Sequence, residues 1–163
     1  MPIKAAEAKK VRICWDSCVF IHRIQRTADR ISILEQVSYA AESDKIVLVT
    51  SALSIAEVAK LDHKKPLSAK EEKAIKEFFE NDFIELVTVD RFVGELARTI
   101  VRDHRLKPGD AVIVASAILG EASMLHTYDE NVLKRDGLIG NPPLKIEKPR
   151  LPTEQPIFFA GQK

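Results

Sequence analysis

Four acidic residues lie beside short apolar segments of the chain rather than in its charged stretches. Asp16 directly follows the apolar segment VRICW, and Asp129 follows the last strand candidate. Asp110 opens the apolar run AVIVASAIL, and Glu57 has an apolar neighbour on each side. An unpaired carboxylate is costly to bury in such surroundings. Four of them brought to one edge would form a hard-oxygen site of the kind that Mg²⁺ or Mn²⁺ prefers.

Each of these acids also has an ordinary structural explanation. Asp110 could cap a helix, Asp129 could be a turn residue, and Glu57 could lie on a solvated helix face. Asp16, directly after a strand, is the hardest to explain in this way. Because the chain has 24 Asp+Glu, no single acid indicates a site. The four together favour one, and without a cation their mutual repulsion would raise some of their pKa values.

The segments between these acids predict an α/β protein. Short apolar segments alternate with stretches in which apolar residues recur at helical spacing. The strand candidates are residues 11–15, 46–49, 83–89 and 123–126, with a possible edge strand at 144–147. This alternation is typical of a mostly parallel sheet with helices on both faces. Sites in such sheets form beyond the carboxyl ends of the strands, so we expect the four acids to meet there.

Spacing and capping residues predict the helices. One long amphipathic helix is expected to include the segment from Ile21 to Val37. The predicted helix caps are Thr50 and Ser51, Ser68, and Asp90. The helix after Ser51 is expected to carry Ile55, Val58, Ala59 and Leu61 on its apolar side. Glu71 completes a capping box with Ser68 and opens a helix that runs to about residue 81. Residues 107–109 (KPG) predict a turn before the helix that Asp110 opens.

The composition is that of a single globular domain. The chain has 163 residues, 45% hydrophobic and 30% charged, with 25 Lys+Arg against 24 Asp+Glu. These values exclude a disordered polyelectrolyte. The charge balance also gives no overall basic field for binding nucleic acid. Cys14 and Cys18 have no second cysteine pair, which argues against a disulfide framework or a zinc site. Both are expected to be reduced thiols, Cys14 in a core.

The chain shows no membrane or secretion signal. Its longest apolar run is far shorter than the roughly 18–20 residues that a membrane span needs. The charged start lacks the apolar core of a signal peptide. We therefore expect a cytoplasmic protein with no membrane partner. Five of the eight prolines lie between positions 142 and 156, which predicts one domain over 1–147 and a proline-rich tail over 148–163.

Four motifs occur in the order found in PIN domains. They are apolar-Asp-Ser at the end of the first strand (CWDSCVFI), Ser-x-x-Glu (SIAEVAKL), Lys-Pro-Gly-Asp-Ala before a small-residue helix (KPGDAVIVASAIL) and Thr-x-Asp (LHTYDENVL). Each motif alone is weak, but the four in this order are specific. The resemblance covers about residues 11–147 and is strongest to the short VapC-type toxins of prokaryotes.

The resemblance implies a fold and a site. The fold would be an α/β/α sandwich around a central, mostly parallel sheet of four to five strands. The site would be that of a ribonuclease dependent on Mg²⁺ or Mn²⁺. The positions that match the family's catalytic, metal-binding acids are Asp16, Glu57, Asp110 and Asp129. Ser17 and Thr127 match polar positions that in the family order the metal's waters or the acids, and we assign them to substrate binding. Cys18 departs from the pattern, because a small polar residue is common there.

Three functions remain open at this stage. The first is an endoribonuclease toxin of a type II toxin–antitoxin pair, whose partners would be RNA, a cognate antitoxin and a second copy of the chain. The second is a PIN nuclease for RNA maturation without an antitoxin, and the third is a metal- or RNA-binding module without turnover. The complete set of four acids argues against the third. The basic residues that could hold RNA are Arg23, Arg26 and Arg30; Lys60, Lys64 and Lys65; and Arg98, Arg102 and Arg105.

Overall fold

The computed structural model describes residues 9–59 and 66–152, in which five strands and seven helices alternate. The elements are β1 (Val11–Trp15), α1 (Ser17–Gln25), α2 (Ile31–Glu42), β2 (Ile46–Ser51), α3 (Leu53–Glu57), α4 (Ala69–Phe79), β3 (Ile84–Val87), α5 (Arg91–His104), α6 (Pro108–Leu119), β4 (Met124–His126), α7 (Glu130–Leu133) and β5 (Lys145–Glu147). No helix in these ranges is long and apolar enough to cross a bilayer.

The five strands form one parallel sheet in the order β3-β2-β1-β4-β5. The chain proceeds outward from β1 through β2 to β3 and then crosses to β4 on the other side of β1. Trp15 at the end of β1 pairs with His126 at the end of β4. This reversal of direction is a topological switch point. Open α/β sheets bind their ligands in the crevice at such a point, here beyond the ends of β1 and β4.

Helices cover both faces of the sheet, so the fold is the predicted α/β/α sandwich. Successive residues of β1 point to opposite faces. Ile13 and Trp15 belong to one core, which includes residues of α1, α2 and α4. Cys14 belongs to the other core with residues of α5, α6 and α7, as expected. Phe20 is fully buried and meets Trp15 edge to face at 5.2 Å between ring centroids.

The predicted single helix through Ile21 and Val37 is wrong, because the chain breaks it into α1 and α2. Arg26 ends α1 in a left-handed conformation with φ of 54°. The Thr27 backbone N–H bonds back to His22 O at 3.1 Å, and the Thr27 hydroxyl meets the His22 ring at 2.9 Å. These local contacts compete with continued helix. Neither glycine nor proline marks the break in the sequence.

The helix after β2 is shorter than predicted. Helix α3 ends at Glu57, and Ile55 is 43% exposed rather than packed on an apolar side. Thr50 and Ser51 belong to β2, and the residue at the cap position is Ala52, which makes no side-chain capping bond. The predicted continuation to Leu61 lies outside the described residues.

The other predicted caps are confirmed. Ser68 and Glu71 form the reciprocal capping box of α4, which ends at Phe79, slightly before the predicted position. Asp90 caps α5 by accepting from the Val93 N–H at 3.0 Å. Strand β3 is shorter than the apolar segment that predicted it, whereas β5 forms the expected edge strand.

Candidate active site

Asp16 is fixed at the carboxyl end of β1 by four hydrogen-bond donors. Its Oδ1 accepts from the backbone N–H and the hydroxyl of Ser17, at 2.6 and 3.2 Å. Its Oδ2 accepts from the Thr127 hydroxyl at 2.7 Å and from the Cys18 thiol at 3.4 Å. The residue is only 5% exposed. These donors satisfy both carboxylate oxygens of Asp16 although the residue is nearly buried.

The Ser17 hydroxyl links Asp16 to Glu57. It donates to Glu57 Oε2 at 2.8 Å, a shorter contact than the 3.2 Å to Asp16. Because a hydroxyl has one proton, the bond to Glu57 is the stronger of the two. Partial burial raises the pKa of Glu57, the bond from Ser17 lowers it, and the charge of Asp16 raises it further. A Cβ added at Gly109 would lie 3.7 Å from Glu57 Oε1, so the start of α6 faces this carboxylate.

Buried hydroxyls at the end of β2 hold α3, and therefore Glu57, in place. The Thr50 hydroxyl donates to Trp15 O at 2.9 Å and lies 3.0 Å from Ser54 Oγ in α3. Ser51 Oγ accepts from the Ser116 hydroxyl of α6 at 2.9 Å. All of these hydroxyls are fully buried. The sequence analysis missed this role because it assigned Thr50 and Ser51 to a helix cap; the run of small hydroxyl residues at a strand end was the available signal.

Asp110 lies in the first turn of α6 but does not cap it. Lys107 occupies the cap position without a side-chain bond, and Pro108 is the first helical residue. Residues 107–109 therefore enter the helix instead of forming the separate turn that was predicted. Proline suits this position because its missing N–H would have no partner there. Asp110 therefore lies at the N-terminal, positive end of the α6 dipole.

The three other acids act electrostatically on Asp110. Burial raises the pKa of Asp110 from 3.8 to about 6, and the charges of Asp129, Asp16 and Glu57 contribute to the rise in that order. Lys107 opposes it. The charges of the three other acids are therefore close enough to Asp110 to act on its ionisation. Like charges held this close favour a bound cation or a proton.

Thr127 connects Asp16 with Asp129. The Thr127 hydroxyl donates to Asp16, while Thr127 Oγ1 accepts from the backbone N–H of Asp129 at 3.0 Å. Asp129 caps α7 by accepting from the N–H groups of Asn131 and Val132 at 2.8 and 3.3 Å. Asp129 is therefore a helix cap, and its charge also acts on Asp110. Thr127 itself is fully buried.

Cys18 is part of the same network. Besides its contact with Asp16, its Sγ lies 3.5 Å from Thr127 Oγ1 and accepts from the Tyr128 N–H at 3.4 Å. Burial, together with the Asp16 charge, raises the pKa of the thiol to about 12. Cys18 is thus a neutral hydrogen-bonding group at neutral pH. The sequence analysis expected only a reduced thiol and missed this role, since the partners Thr127 and Tyr128 follow β4, far along the chain.

The acidic cluster has the donor chemistry of a metal site but is not an assembled one. Within the described ranges, no three His, Cys, Asp or Glu side chains converge closely enough to hold an ion together. Asp16 uses its lone pairs on four donors, and Glu57 is exposed at the end of α3. The carboxylates fit a hard cation by type, charge and position. They would bind one only after side-chain rotation.

The predicted cationic sets occupy different environments. Arg26 pairs with Glu35 at 2.7 Å. The Arg23 guanidinium lies 5.6 Å above the Phe78 ring, and that of Arg30 lies 3.9 Å above the ring of Tyr128, beside Asp129. Lys60, Lys64 and Lys65 lie outside the described residues. The α5 set, Arg98, Arg102 and Arg105, is exposed.

Residues 13–138, most of the chain, match the PIN domain family. The chain belongs to the PIN domain family. PIN domains are nucleases and generally use divalent metals. A comparison with curated proteins gave no match.

Solved structures confirm the PIN fold. A toxin–antitoxin complex from Klebsiella pneumoniae matches at 17% identity and a TM-score of 0.54, over 74% of this chain and 89% of that one. VapBC2 from Rickettsia felis, bound to a DNA fragment from its promoter, matches at 20% identity and a TM-score of 0.58, over 83% and 98%. FitAB bound to an IR36 DNA fragment matches at 14% identity and a TM-score of 0.57, over 88% and 99%.

Proposed function

We propose that this PIN domain is an endoribonuclease that depends on Mg²⁺ or Mn²⁺ and binds the ion through Asp16, Glu57, Asp110 and Asp129. The observation that supports this most directly is the raised pKa of Asp110, because the three other acids all contribute to it. A cluster of like charges at a topological switch point is unfavourable unless something positive joins it. A divalent cation would relieve the repulsion and allow a phosphodiester to approach.

The protein residues divide the work between holding the ion and orienting one another. Asp16 and Asp110 are the proposed direct ligands; Glu57 and Asp129 would bind directly or through water. A bound ion would neutralise charge on the scissile phosphate and lower the pKa of a water molecule. When Asp16 turns toward a ligand, the Ser17 hydroxyl can remain on Glu57, because that contact is the shorter one.

Asp110 also connects ion binding to pH. Its raised pKa means that it holds a proton up to about pH 6. A carboxylate must lose that proton before it binds a cation, so ion affinity should weaken as the pH falls below 6.

We further propose that the enzyme is the toxin of a toxin–antitoxin pair. The support is that the matching solved structures are described as a toxin–antitoxin complex, VapBC2 and FitAB. A partner that places an Arg or Lys among the four acids would neutralise them as a metal ion does. Such a partner would therefore compete with the ion for the site.

The test is cleavage of total cellular RNA with Mg²⁺, Mn²⁺ or EDTA. Wild type should give discrete products with 5′-phosphate and 3′-hydroxyl ends that require the ion, and Asp16→Asn should give none. Asp82→Asn is the matched control, because Asp82 is exposed just before β3, at the opposite edge of the sheet. Cleavage that survives in EDTA or in Asp16→Asn would contradict the proposed site.

The antitoxin proposal is tested separately, by expressing the protein with and without the product of a small neighbouring reading frame. Equal growth in both cases would contradict it.

A further inference from the structure

A groove of about 480 Å³ lies between α5 and α6. Its apolar floor is formed by Ala97, Val101 and Val112. Pro108 also lines it, and Asp110 follows two residues later in the same helical turn. The α5–α6 groove therefore reaches the N-terminal turn of α6, the turn that carries Asp110.

The rim of the groove is cationic. Arg98 and Arg102 line it, and both are exposed. Arg98 makes no ion pair or hydrogen bond with any residue that the structure describes, whereas Arg102 pairs with its neighbour Asp103 at 2.6 Å. That surface pair contributes little and is easily exchanged for another anion. A further exposed cation, Lys107, directly precedes Pro108 at the start of α6.

We propose that the α5–α6 groove holds the single-stranded RNA on one side of the scissile phosphate. This inference rests on the proposed function and extends it to a substrate-binding surface. Backbone phosphates would contact Arg98 and Arg102, while a ribose or an unstacked base would lie on the apolar floor. The acidic cluster repels phosphates, so the strand needs cations elsewhere, and Arg98 and Arg102 on α5 provide exposed ones at the groove.

The charges favour RNA over a second copy of the chain. In a symmetric dimer the same surface of both copies is buried. Arg98 and Arg102 of both copies would then lie in one desolvated contact, and four cations with no acid among the described residues that line the groove are unfavourable there. The phosphates of an RNA strand would instead be attracted to these arginines.

The groove can be filled without disturbing the fold. Gly94 lies on α5 at the edge of the groove, and a Cβ added there meets nothing within 4 Å. Leucine is a better helix former than glycine, so Gly94→Leu should fold at least as well as wild type. Thr99→Leu is the matched control, because it adds the same side chain to an exposed position of α5 outside the groove.

The experiment compares two substrates in the presence of Mn²⁺. One is a fluorescent single-stranded RNA of about 12 nucleotides, within the site sizes that such grooves bind. The other is bis(p-nitrophenyl) phosphate, a diester too small to reach the groove. Arg98→Ala should raise KM for the RNA by about tenfold, the usual effect of losing one charge-assisted contact. Gly94→Leu should also raise KM for the RNA, because the new side chain occupies the groove. Both variants should leave turnover of the small diester unchanged.

Salt dependence identifies the phosphate contact. Removing one contact to single-stranded nucleic acid lowers the slope of log affinity against log salt by about 0.7. Arg98→Ala should show this loss. Arg91→Ala should not, because Arg91 pairs with Glu95 away from the groove.

Three results would overturn the inference. The first is an unchanged KM for RNA in Gly94→Leu, and the second is an equal loss on RNA and on the small diester. The third is a change from dimer to monomer in Gly94→Leu by light scattering with RNA kinetics intact, which would make the groove an interface between copies. If wild type cleaves neither substrate, the proposed function fails. The groove assignment is then tested separately, by measuring binding of the labelled RNA by fluorescence anisotropy. Binding no tighter in wild type than in Gly94→Leu would overturn the groove assignment.

Discussion

Replacing Asp110 by asparagine should stabilise the metal-free protein at neutral pH. In the folded chain the pKa of Asp110 is raised from 3.8 to about 6. At about 1.4 kcal/mol for each pH unit, the full rise would lower the free energy of unfolding by about 3 kcal/mol once the group is ionised. Because Asp110 is only half-buried, screening by solvent reduces this loss to about 1–2 kcal/mol. Asparagine has nearly the same shape and no charge. Asp110→Asn should therefore recover most of that free energy.

The effect has a defined pH window. Below pH 3.8 Asp110 is protonated in both the folded and the unfolded chain, and its titration contributes nothing. Between pH 3.8 and 6 the folded chain holds the proton and the unfolded chain does not, so wild-type stability falls as the pH rises. Above pH 6 the full loss is present. The advantage of Asp110→Asn should thus grow across this window and then remain constant.

Thermal unfolding in EDTA between pH 4 and pH 8 measures this difference. A change of about 1–2 kcal/mol corresponds to a melting temperature about 2–8 °C higher for Asp110→Asn at pH 8 in a domain of this size. The gap should shrink toward pH 4. Asp82→Asn, at the other edge of the sheet, should show no such gap. Mn²⁺ should raise the melting temperature of wild type more than that of Asp110→Asn. A gap that is independent of pH, or a less stable Asp110→Asn at pH 8, would refute the electrostatic reasoning.

Two further predictions concern positioning and packing. Cys18→Ala should lower kcat about tenfold with KM for RNA unchanged, because it removes contacts to Asp16 and Thr127. Cys18→Ser should restore most of the rate. Equal rates in wild type and Cys18→Ala would contradict this role. Gly120→Ala should destabilise the fold by about 1–3 kcal/mol in urea unfolding, since the new Cβ would lie 2.8 Å from Val87 Cγ2. Unchanged stability would show that β3 can move away.

The sheet and the place of the acids could be predicted because they depend on local patterns. Buried strands are short apolar runs, and the polar residue that follows each run lies at the edge of the sheet. This is why Asp16 and Asp129 could be placed from the sequence. The order of the strands follows from the handedness of parallel crossovers only once the pairing is known. The structure supplies that pairing, with β4 beside β1.

The remaining differences come from contacts between distant parts of the chain. Thr50 has the side chain of a helix cap, but its hydroxyl bonds to Trp15 O, 35 residues away. Cys18 bonds to Thr127 across 109 residues, and no local pattern encodes that contact. Arg26 ends a helix with positive φ where no glycine announces it. In each case a tertiary or side-chain contact overrides a correct local preference.

The most direct test of the account is a crystal structure of the protein with Mn²⁺, recorded at the manganese absorption edge. The account predicts an anomalous peak bounded by Asp16, Glu57, Asp110 and Asp129, with at least two of these carboxylates turned toward it. Asp110→Asn crystals treated in the same way should show a weaker peak or none. A strong peak elsewhere on the protein with the four acids unchanged, or equal peaks in wild type and Asp110→Asn, would contradict the proposed metal site.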